Sequence, residues 1–251
     1  MTSAVLSGGD LQVGHILNRG FTVFTRHPVQ FAGVTAIAML PFLVFFGDMY
    51  GNAGAGRTHA PMAWFFLPYL FGLLPAVLAQ AFVLYGAWQV ARDKPVHAGE
   101  SLRLAWERFI PLVILAVFQA FAIGLGTVLF IIPGLVVAAM LFVSVPVLVV
   151  EKLGPFTAMF RSAHLTTGHR WKTVGVFVAL TIIGVVGGTI VELILGFAGR
   201  TLAAIGLWVW YSLFGAYYAV VVIVTYQELR QLEGGFDIEQ IGGELDAHLA
   251  A

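Results

Sequence analysis

The chain has 251 residues, of which 59% are hydrophobic and only 10% are charged, and its formal net charge is zero. Soluble domains carry roughly 45–50% apolar and about 25% charged residues, so a soluble fold of this size has no place for the excess apolar surface. The balanced charge argues against a nucleic-acid partner, which requires a basic surface. The absence of cysteine excludes disulfides, thiolate nucleophiles and iron–sulfur sites. The composition therefore predicts an integral membrane protein.

Hydropathy divides the chain into six apolar windows that are long enough, as α-helices, to cross a hydrocarbon core of about 30 Å. None alternates apolar and polar residues as a transmembrane β-strand does, and the first 20 residues lack the pattern of a cleavable signal peptide. We therefore predict an all-α integral membrane protein in which residues 1–251 form a single polytopic domain with six transmembrane helices. The spans cover approximately 29–48, 62–91, 110–132, 134–150, 172–197 and 203–229.

Three amphipathic stretches precede the odd-numbered spans, at 10–27, 98–109 and 153–170. In the first, Val13, Leu17, Phe21 and Phe24 share a face of a helix, and the basic residues Arg19 and Arg26 lie elsewhere. Helices of this kind usually lie in the membrane interface with the apolar side toward the acyl chains. The chain therefore resembles one unit used three times, an interfacial helix followed by a helical hairpin, although the sequence identity between the units is weak.

Basic residues are distributed unevenly along this topology. All but two of the 13 Lys and Arg residues fall on one side of the membrane, and only Arg57 and Arg200 fall on the other. The positive-inside rule makes the first side cytoplasmic and therefore predicts that both termini are cytoplasmic. The tail, 231–251, contains five acidic residues and no Lys or Arg. It is predicted to be a short solvated end, and a docking role is the alternative.

Two amides and several prolines interrupt the apolar spans. Gln119, near the bilayer centre, and Gln80, nearer the cytoplasmic side, are candidate intramembrane polar contacts. Hydrogen bonding between helices is the favoured interpretation and substrate contact is the alternative. Pro41, Pro75 and Pro146 are predicted to kink their helices. No acidic or basic side chain falls near the midplane, which weighs against an ion-coupled pump or proton relay.

Small residues recur at intervals of four in two spans, at Ala116, Ala120 and Gly124 and at Gly184 and Gly188. This spacing allows two helix backbones to approach closely. The approach can occur within the chain or between protomers, and packing within the chain is the favoured interpretation.

The basic residues near the cytoplasmic interface are the best positive indication of function. Lys and Arg near an anionic leaflet gain about 1 kcal/mol each, and aromatic residues such as Trp106 and Trp171 prefer that depth. Recognition of phospholipid head groups and control of topology alone are equally favoured interpretations. The candidate head-group contacts are Arg19, Arg26, Arg103, Arg108, Arg161 and Arg170.

Motifs of catalysis and metal binding are missing from the sequence. There is no G-x-S-x-G elbow, no H-E-x-x-H and no P-loop lysine. His164 and His169 are five residues apart, which turns them about 140° from each other on a helix and makes them a poor metal pair. We therefore predict no catalytic residue, no metal, no cofactor and no enzymatic activity, and intramembrane catalysis is the least favoured alternative.

The stretch VPVLVVEKLGPFTAMFRSAHLTTGHRWKT, residues 145–173, resembles a poorly characterised family of bacterial membrane proteins. Its members are often labelled glycerophosphodiester phosphodiesterase membrane domains. The opening VGHILNRGFTVFTRHPVQF is similar to the start of those proteins, where an interfacial helix leads into the first span. In the named phosphodiesterases a separate soluble barrel carries out the reaction, and nothing in this sequence encodes that barrel. The resemblance therefore implies a bacterial inner-membrane location and a connection with glycerophospholipids, but no activity.

These observations predict a non-enzymatic inner-membrane protein that binds, organises or transports phospholipid or a similar amphiphile. The alternative is an accessory or structural subunit that packs against another membrane protein complex, or against a second copy of the chain. The predicted partner is membrane phospholipid, and no nucleic acid is expected.

Overall fold

The structure is a computed structural model that describes residues 11–40, 80–84, 103 and 106–233. Within these residues the chain is helical and contains no β-strand. Residues 80–84 are helical, and the remaining helices are α1 (Val13–Arg26), α2 (Pro28–Ala38), α3 (Phe109–Leu129), α4 (Ile131–Met140), α5 (Ser144–Val150), α6 (Pro155–Leu165), α7 (Arg170–Gly196) and α8 (Arg200–Leu232).

Four helical stretches in the described part of the chain are long and apolar enough to cross a membrane. They are Phe109–Val128, Ile132–Val150, Arg170–Gly196 and Arg200–Leu232, and they coincide with the last four predicted spans. The fold is therefore all-helical and compatible with a multi-pass membrane protein. The first two predicted spans lie mostly outside the described residues, so the count of six and the threefold repeat stay predictions.

The longest helix, α8, is the element around which the described helices are arranged. Its 33 residues extend about 50 Å at the helical rise, which exceeds the thickness of a hydrocarbon core. Residues 219–229 are buried without interruption. A helix that is covered on every side needs neighbours on every side, and α1, α2, α5 and α7 supply them. We call the end of the bundle where α8 ends and α7 begins the basic end.

The amphipathic helix α1 packs on α8. Ile16 and Gly20 are its buried residues, and a Cβ atom added to Gly20 would lie only 2.7 Å from Cγ2 of Val221. The hydroxyl of Tyr217 donates a hydrogen bond to the Leu17 carbonyl at 3.1 Å. On the apolar face that the sequence assigns to acyl chains, Val13, Leu17 and Phe24 pack against protein because α8 presents an apolar surface beside them, whereas Phe21 is 57% exposed.

Helix α6, which lies within the third predicted amphipathic stretch, divides its residues between the bundle and the outside. Ala158, Ser162 and Leu165 are buried, and the Ser162 hydroxyl donates a hydrogen bond to the Met140 carbonyl at 2.7 Å. Phe156 and Phe160, by contrast, are exposed. Of the second amphipathic stretch, 98–109, only residues 103 and 106–109 are described.

Candidate functional site at the basic end

Two groups of charged residues join the end of α8 to the helices around it. The first group centres on Glu228, which is only 7% exposed. Its Oε1 atom lies 3.1 Å from Nη1 of Arg19 and 3.3 Å from Nδ1 of His15. Both partners belong to α1. A buried carboxylate requires a charged or hydrogen-bonding partner, so these contacts fix the position of α1 on α8.

The second group is built on Glu151, the residue that follows α5. One carboxylate oxygen of Glu151 accepts a hydrogen bond from the Tyr226 hydroxyl at 3.1 Å. The other accepts one from Nε of Arg161 at 3.2 Å. Nε of Arg230 lies 3.7 Å from Oε1 of Glu151 and is buried without a hydrogen-bond partner. Glu151 thus connects α5, α6 and α8.

Glu233, the residue after the last one of α8, completes this second group. Nη1 and Nη2 of Arg161 donate to its two oxygens at 2.7 and 2.6 Å, which is the bidentate geometry of a strong arginine–carboxylate pair. Nδ1 of His164 lies 3.3 Å away and Nη1 of Arg230 3.5 Å away. The hydrogen bonds raise the pKa of the Arg161 guanidinium and lower the pKa of the Glu233 carboxyl. We call these residues, with Glu151 and Tyr226, the Arg161 network.

Three of the arginines predicted to contact lipid head groups are paired with carboxylates of the chain itself. Arg19 pairs with Glu228, and Arg161 pairs with carboxylates of the Arg161 network. Nε of Arg103 lies 2.9 Å from Oε1 of Glu107, one helical turn away, and both side chains are more than half exposed. The first two pairs join different helices, and the third is local.

The other three predicted head-group contacts have different surroundings. Arg26 is an exposed residue at the end of α1. Arg108 precedes α3 and Arg170 begins α7, and neither has a carboxylate partner among residues 11–40, 80–84, 103 and 106–233. Trp106 and Trp171 lie beside them in sequence and are 67% and 74% exposed. We call Trp106, Arg108, Arg170 and Trp171 the aromatic–basic belt.

Gln119 donates a hydrogen bond between two helices. Its Nε2 atom lies 3.0 Å from the carbonyl oxygen of Leu141, where the helical stretch is interrupted between α4 and α5. The Ser144 hydroxyl donates to the same carbonyl at 2.8 Å. The interruption, at residues 141–143, precedes Pro146, which has no amide hydrogen for the Phe142 carbonyl four residues earlier. Among the other polar and proline positions, Gln80 is half-buried, and Pro41 and Pro75 lie outside the described residues.

The two sets of small residues have different surroundings. Gly184 and Gly188 of α7 are buried, and the indole Nε1 of Trp210 on α8 donates a hydrogen bond to the Gly184 carbonyl at 3.1 Å. This set serves packing within the chain. On α3, in contrast, Ala116 is buried but Ala120 and Gly124 are exposed.

The sequence did not single out the carboxylates that organise the basic end. Glu228 closes an otherwise apolar span, and an acid in that position indicates a buried partner. Tyr226, Arg230 and Glu233 recur at intervals of four and three residues, which places them on one face of a helix. That periodicity was the available indication of the Arg161 network, but it does not identify Arg161 or Glu151 as partners.

The described residues contain no group of three or more His, Cys, Asp or Glu side chains that could hold a metal ion. Comparisons of the chain with protein-family models, with curated proteins and with solved structures found no match. The fold places the chain in the class of helical proteins compatible with several membrane crossings. The resemblance to the phosphodiesterase membrane domains stays a sequence-based prediction.

Proposed function

We propose that this protein is a non-enzymatic, multi-pass protein of the bacterial inner membrane that binds and organises phospholipid through its aromatic–basic belt. Both termini and the basic end face the cytoplasm in this proposal. One observation carries this proposal. Two exposed tryptophans each lie within two residues of an arginine that has no carboxylate partner in the described part of the chain. Tryptophan prefers the head-group region of a bilayer, and arginine binds phosphate oxygens with two parallel hydrogen bonds.

The position of the belt on the helices supports this proposal. Arg170 and Trp171 begin α7, whose 27 residues are about 40 Å long at the helical rise. When such a helix crosses a hydrocarbon core of about 30 Å, its first turn reaches the head groups. Arg108 and Trp106 take the same position at the start of α3. The amide groups at both helix starts point toward an approaching anion and attract it.

Charge balance distinguishes the belt from the other arginines. A phosphate that binds Arg19 or Arg161 must compete with a carboxylate at hydrogen-bonding distance. A phosphate that binds Arg108 or Arg170 displaces no described carboxylate. Lipid binding is therefore least costly at the belt.

The test compares the variant R108Q/R170Q with the wild type in bilayers that contain spin-labelled phosphatidylglycerol or phosphatidylcholine. We expect the wild type to prefer the anionic lipid, and we expect the variant to lose about fivefold of that preference per arginine, since each contributes about 1 kcal/mol. The matched control is R103Q, which removes an exposed arginine that already has a carboxylate partner. A wild type without preference, or a variant equal to the wild type, would contradict the proposal.

A second function, packing against another membrane protein or a second copy of the chain, is favoured by the exposed Ala120 and Gly124 on α3. Small residues at this spacing allow close helix contact, and here α3 leaves them uncovered. The variant G124L should reduce association in cross-linking experiments in bilayers, whereas G14L, at another open glycine, should not. Exclusively monomeric wild-type protein with no co-purifying membrane protein would rule this function out.

A further inference from the structure

The Glu233 carboxylate occupies a site formed by three groups that can carry positive charge. Arg161 contacts it with both Nη atoms, at 2.7 and 2.6 Å. His164 and Arg230 approach it to 3.3 and 3.5 Å. Arginine binds phosphate with the same two parallel hydrogen bonds that Arg161 makes to this carboxylate. The cluster therefore has the donors of an anion site, and a residue of the chain fills it.

Glu233 is the member of the cluster that can leave. It follows the last residue of α8, where the negative end of the helix dipole repels a carboxylate. Its side chain is 31% exposed, about twice the 15% of Glu151. Glu151 is also held by the Tyr226 hydroxyl, at 3.1 Å. Release of Glu233 requires only rotation of its side chain, whereas release of Glu151 breaks the contact between α5 and α8.

The charge of the site changes when Glu233 turns away. In the structure, the two guanidinium groups of Arg161 and Arg230 are balanced by the carboxylates of Glu151 and Glu233. Without Glu233, the two guanidinium groups face only the carboxylate of Glu151, so the site carries one net positive charge. A protonated His164 adds a second positive charge. Arg161 then offers both Nη atoms, and Arg230 offers the Nη1 atom that lies 3.5 Å from Oε2 of Glu233 in the structure. This arrangement suits one phosphate group.

We propose that Arg161, Arg230 and His164 form a phosphate-binding site that Glu233 occupies as a removable internal anion. The ligand is a phosphate group, carried by a phospholipid head group or by a small phosphate compound. Its lipid source rests on the proposed function, but the site itself does not. Glu233 thereby sets the affinity of the site, because every ligand must displace it.

The experiment measures binding of two probes to purified protein in detergent by calorimetry: inorganic phosphate and dihexanoyl phosphatidic acid. Removal of the internal carboxylate in E233Q should raise the affinity for at least one probe about tenfold or more, since the competing charge-assisted hydrogen bonds are gone. R161Q/E233Q should lose this gain. E192Q is the matched control, because it neutralises an exposed carboxylate near the far end of α7, 22 residues after Arg170, and it should bind as the wild type does.

The outcomes separate the site from the source of its ligand. A gain limited to phosphatidic acid assigns the site to a lipid head group, and a gain for inorganic phosphate alone assigns it to a small phosphate compound. Equal affinities in wild type and E233Q, or a gain that persists in R161Q/E233Q, would overturn the site. The proposed function is tested by a different experiment, the preference of R108Q/R170Q for anionic lipid. It can therefore fail while the phosphate site stands, or stand while the phosphate site fails.

A second measurement covers the case in which E233Q does not fold. Excess phosphate added to the wild type should displace the Glu233 side chain from Arg161 and shift the 13C NMR signal of its carboxyl carbon in protein labelled with 13C-glutamate. An equal concentration of chloride should not. If phosphate leaves this signal unchanged at concentrations that bind, Glu233 does not occupy the phosphate site.

Discussion

The contact between Arg19 and Glu228 gives a quantitative prediction about the docking of α1. The Glu228 side chain is 9% exposed, and its Oε1 atom accepts a hydrogen bond from Nη1 of Arg19 at 3.1 Å. Among the described residues, the variant R19A leaves this carboxylate with His15 as its charged partner, and His15 compensates only when it is protonated. The buried charge therefore favours opening of the interface so that water can reach it. We expect α1 to detach locally while the rest of the bundle stays folded.

The magnitude follows from the exposure of the two partners. A hydrogen bond to a charged group contributes about 1.5–3 kcal/mol. The Arg19 side chain is 37% exposed, so solvent screens part of this interaction and the lower end of the range applies. About 1.5 kcal/mol corresponds to a shift of about tenfold in the opening equilibrium. Amides that exchange through this opening should therefore exchange about tenfold faster.

Hydrogen–deuterium exchange with mass spectrometry, on protein in lipid nanodiscs, measures this change peptide by peptide. R19A should accelerate exchange across α1 and leave α3 unchanged, and R103A should leave both unchanged because its ion pair is exposed and local. E228Q removes the buried charge that R19A leaves uncompensated. The exchange of α1 should therefore accelerate less in R19A/E228Q than the sum of the effects of the two single variants. Unchanged exchange in R19A, or additive effects in the cycle, would refute the coupling.

Three further predictions concern other contacts. Gly20→Val should cost about 1–3 kcal/mol through overpacking against α8 and should accelerate exchange of α1, whereas Gly14→Val, which has open space, should not. Gln119→Leu should lower the unfolding free energy in detergent by less than about 2 kcal/mol, and an unchanged value would contradict a stabilising role for its hydrogen bond. The lowered pKa of Glu233 means that its pairing with Arg161 stabilises the fold fully above about pH 4.5 and that this contribution is lost as the pH falls through the lowered native pKa. The wild type should lose more unfolding free energy across that range than E233Q.

The positions of the last four predicted spans were predictable from the sequence, as far as the described residues show. The predicted spans 172–197 and 203–229 correspond to the membrane-crossing candidates Arg170–Gly196 and Arg200–Leu232. This agreement has a simple cause, because the length of an apolar run determines whether a helix can cross a bilayer. The break at residues 141–143 was harder to locate, since a proline indicates a disturbed helix but not where the chain turns.

The partners of the charged residues were not predictable from helical spacing. Arg19 and Glu228 are 209 positions apart, and Arg161 and Glu233 are 72 apart. Periodicity along a helix shows which residues share a face, but it does not show which other helix that face meets. For the same reason, the amphipathic pattern of α1 predicted the helix and its apolar face, but could not distinguish acyl chains from the surface of α8.

At the basic end, Arg19 holds two helices together, whereas we propose that Arg108 and Arg170 bind lipid. Arg19 compensates a carboxylate that is nearly inaccessible, so its loss affects packing. Arg108 and Arg170 compensate no described carboxylate, so their loss should leave packing intact. We accordingly expect R108Q/R170Q to change the preference for anionic lipid without changing hydrogen exchange in α1, and R19A to do the reverse. If lipid preference and exchange changed together in both variants, lipid binding and helix docking would be one process, and the separation drawn from the ion pairs would be wrong.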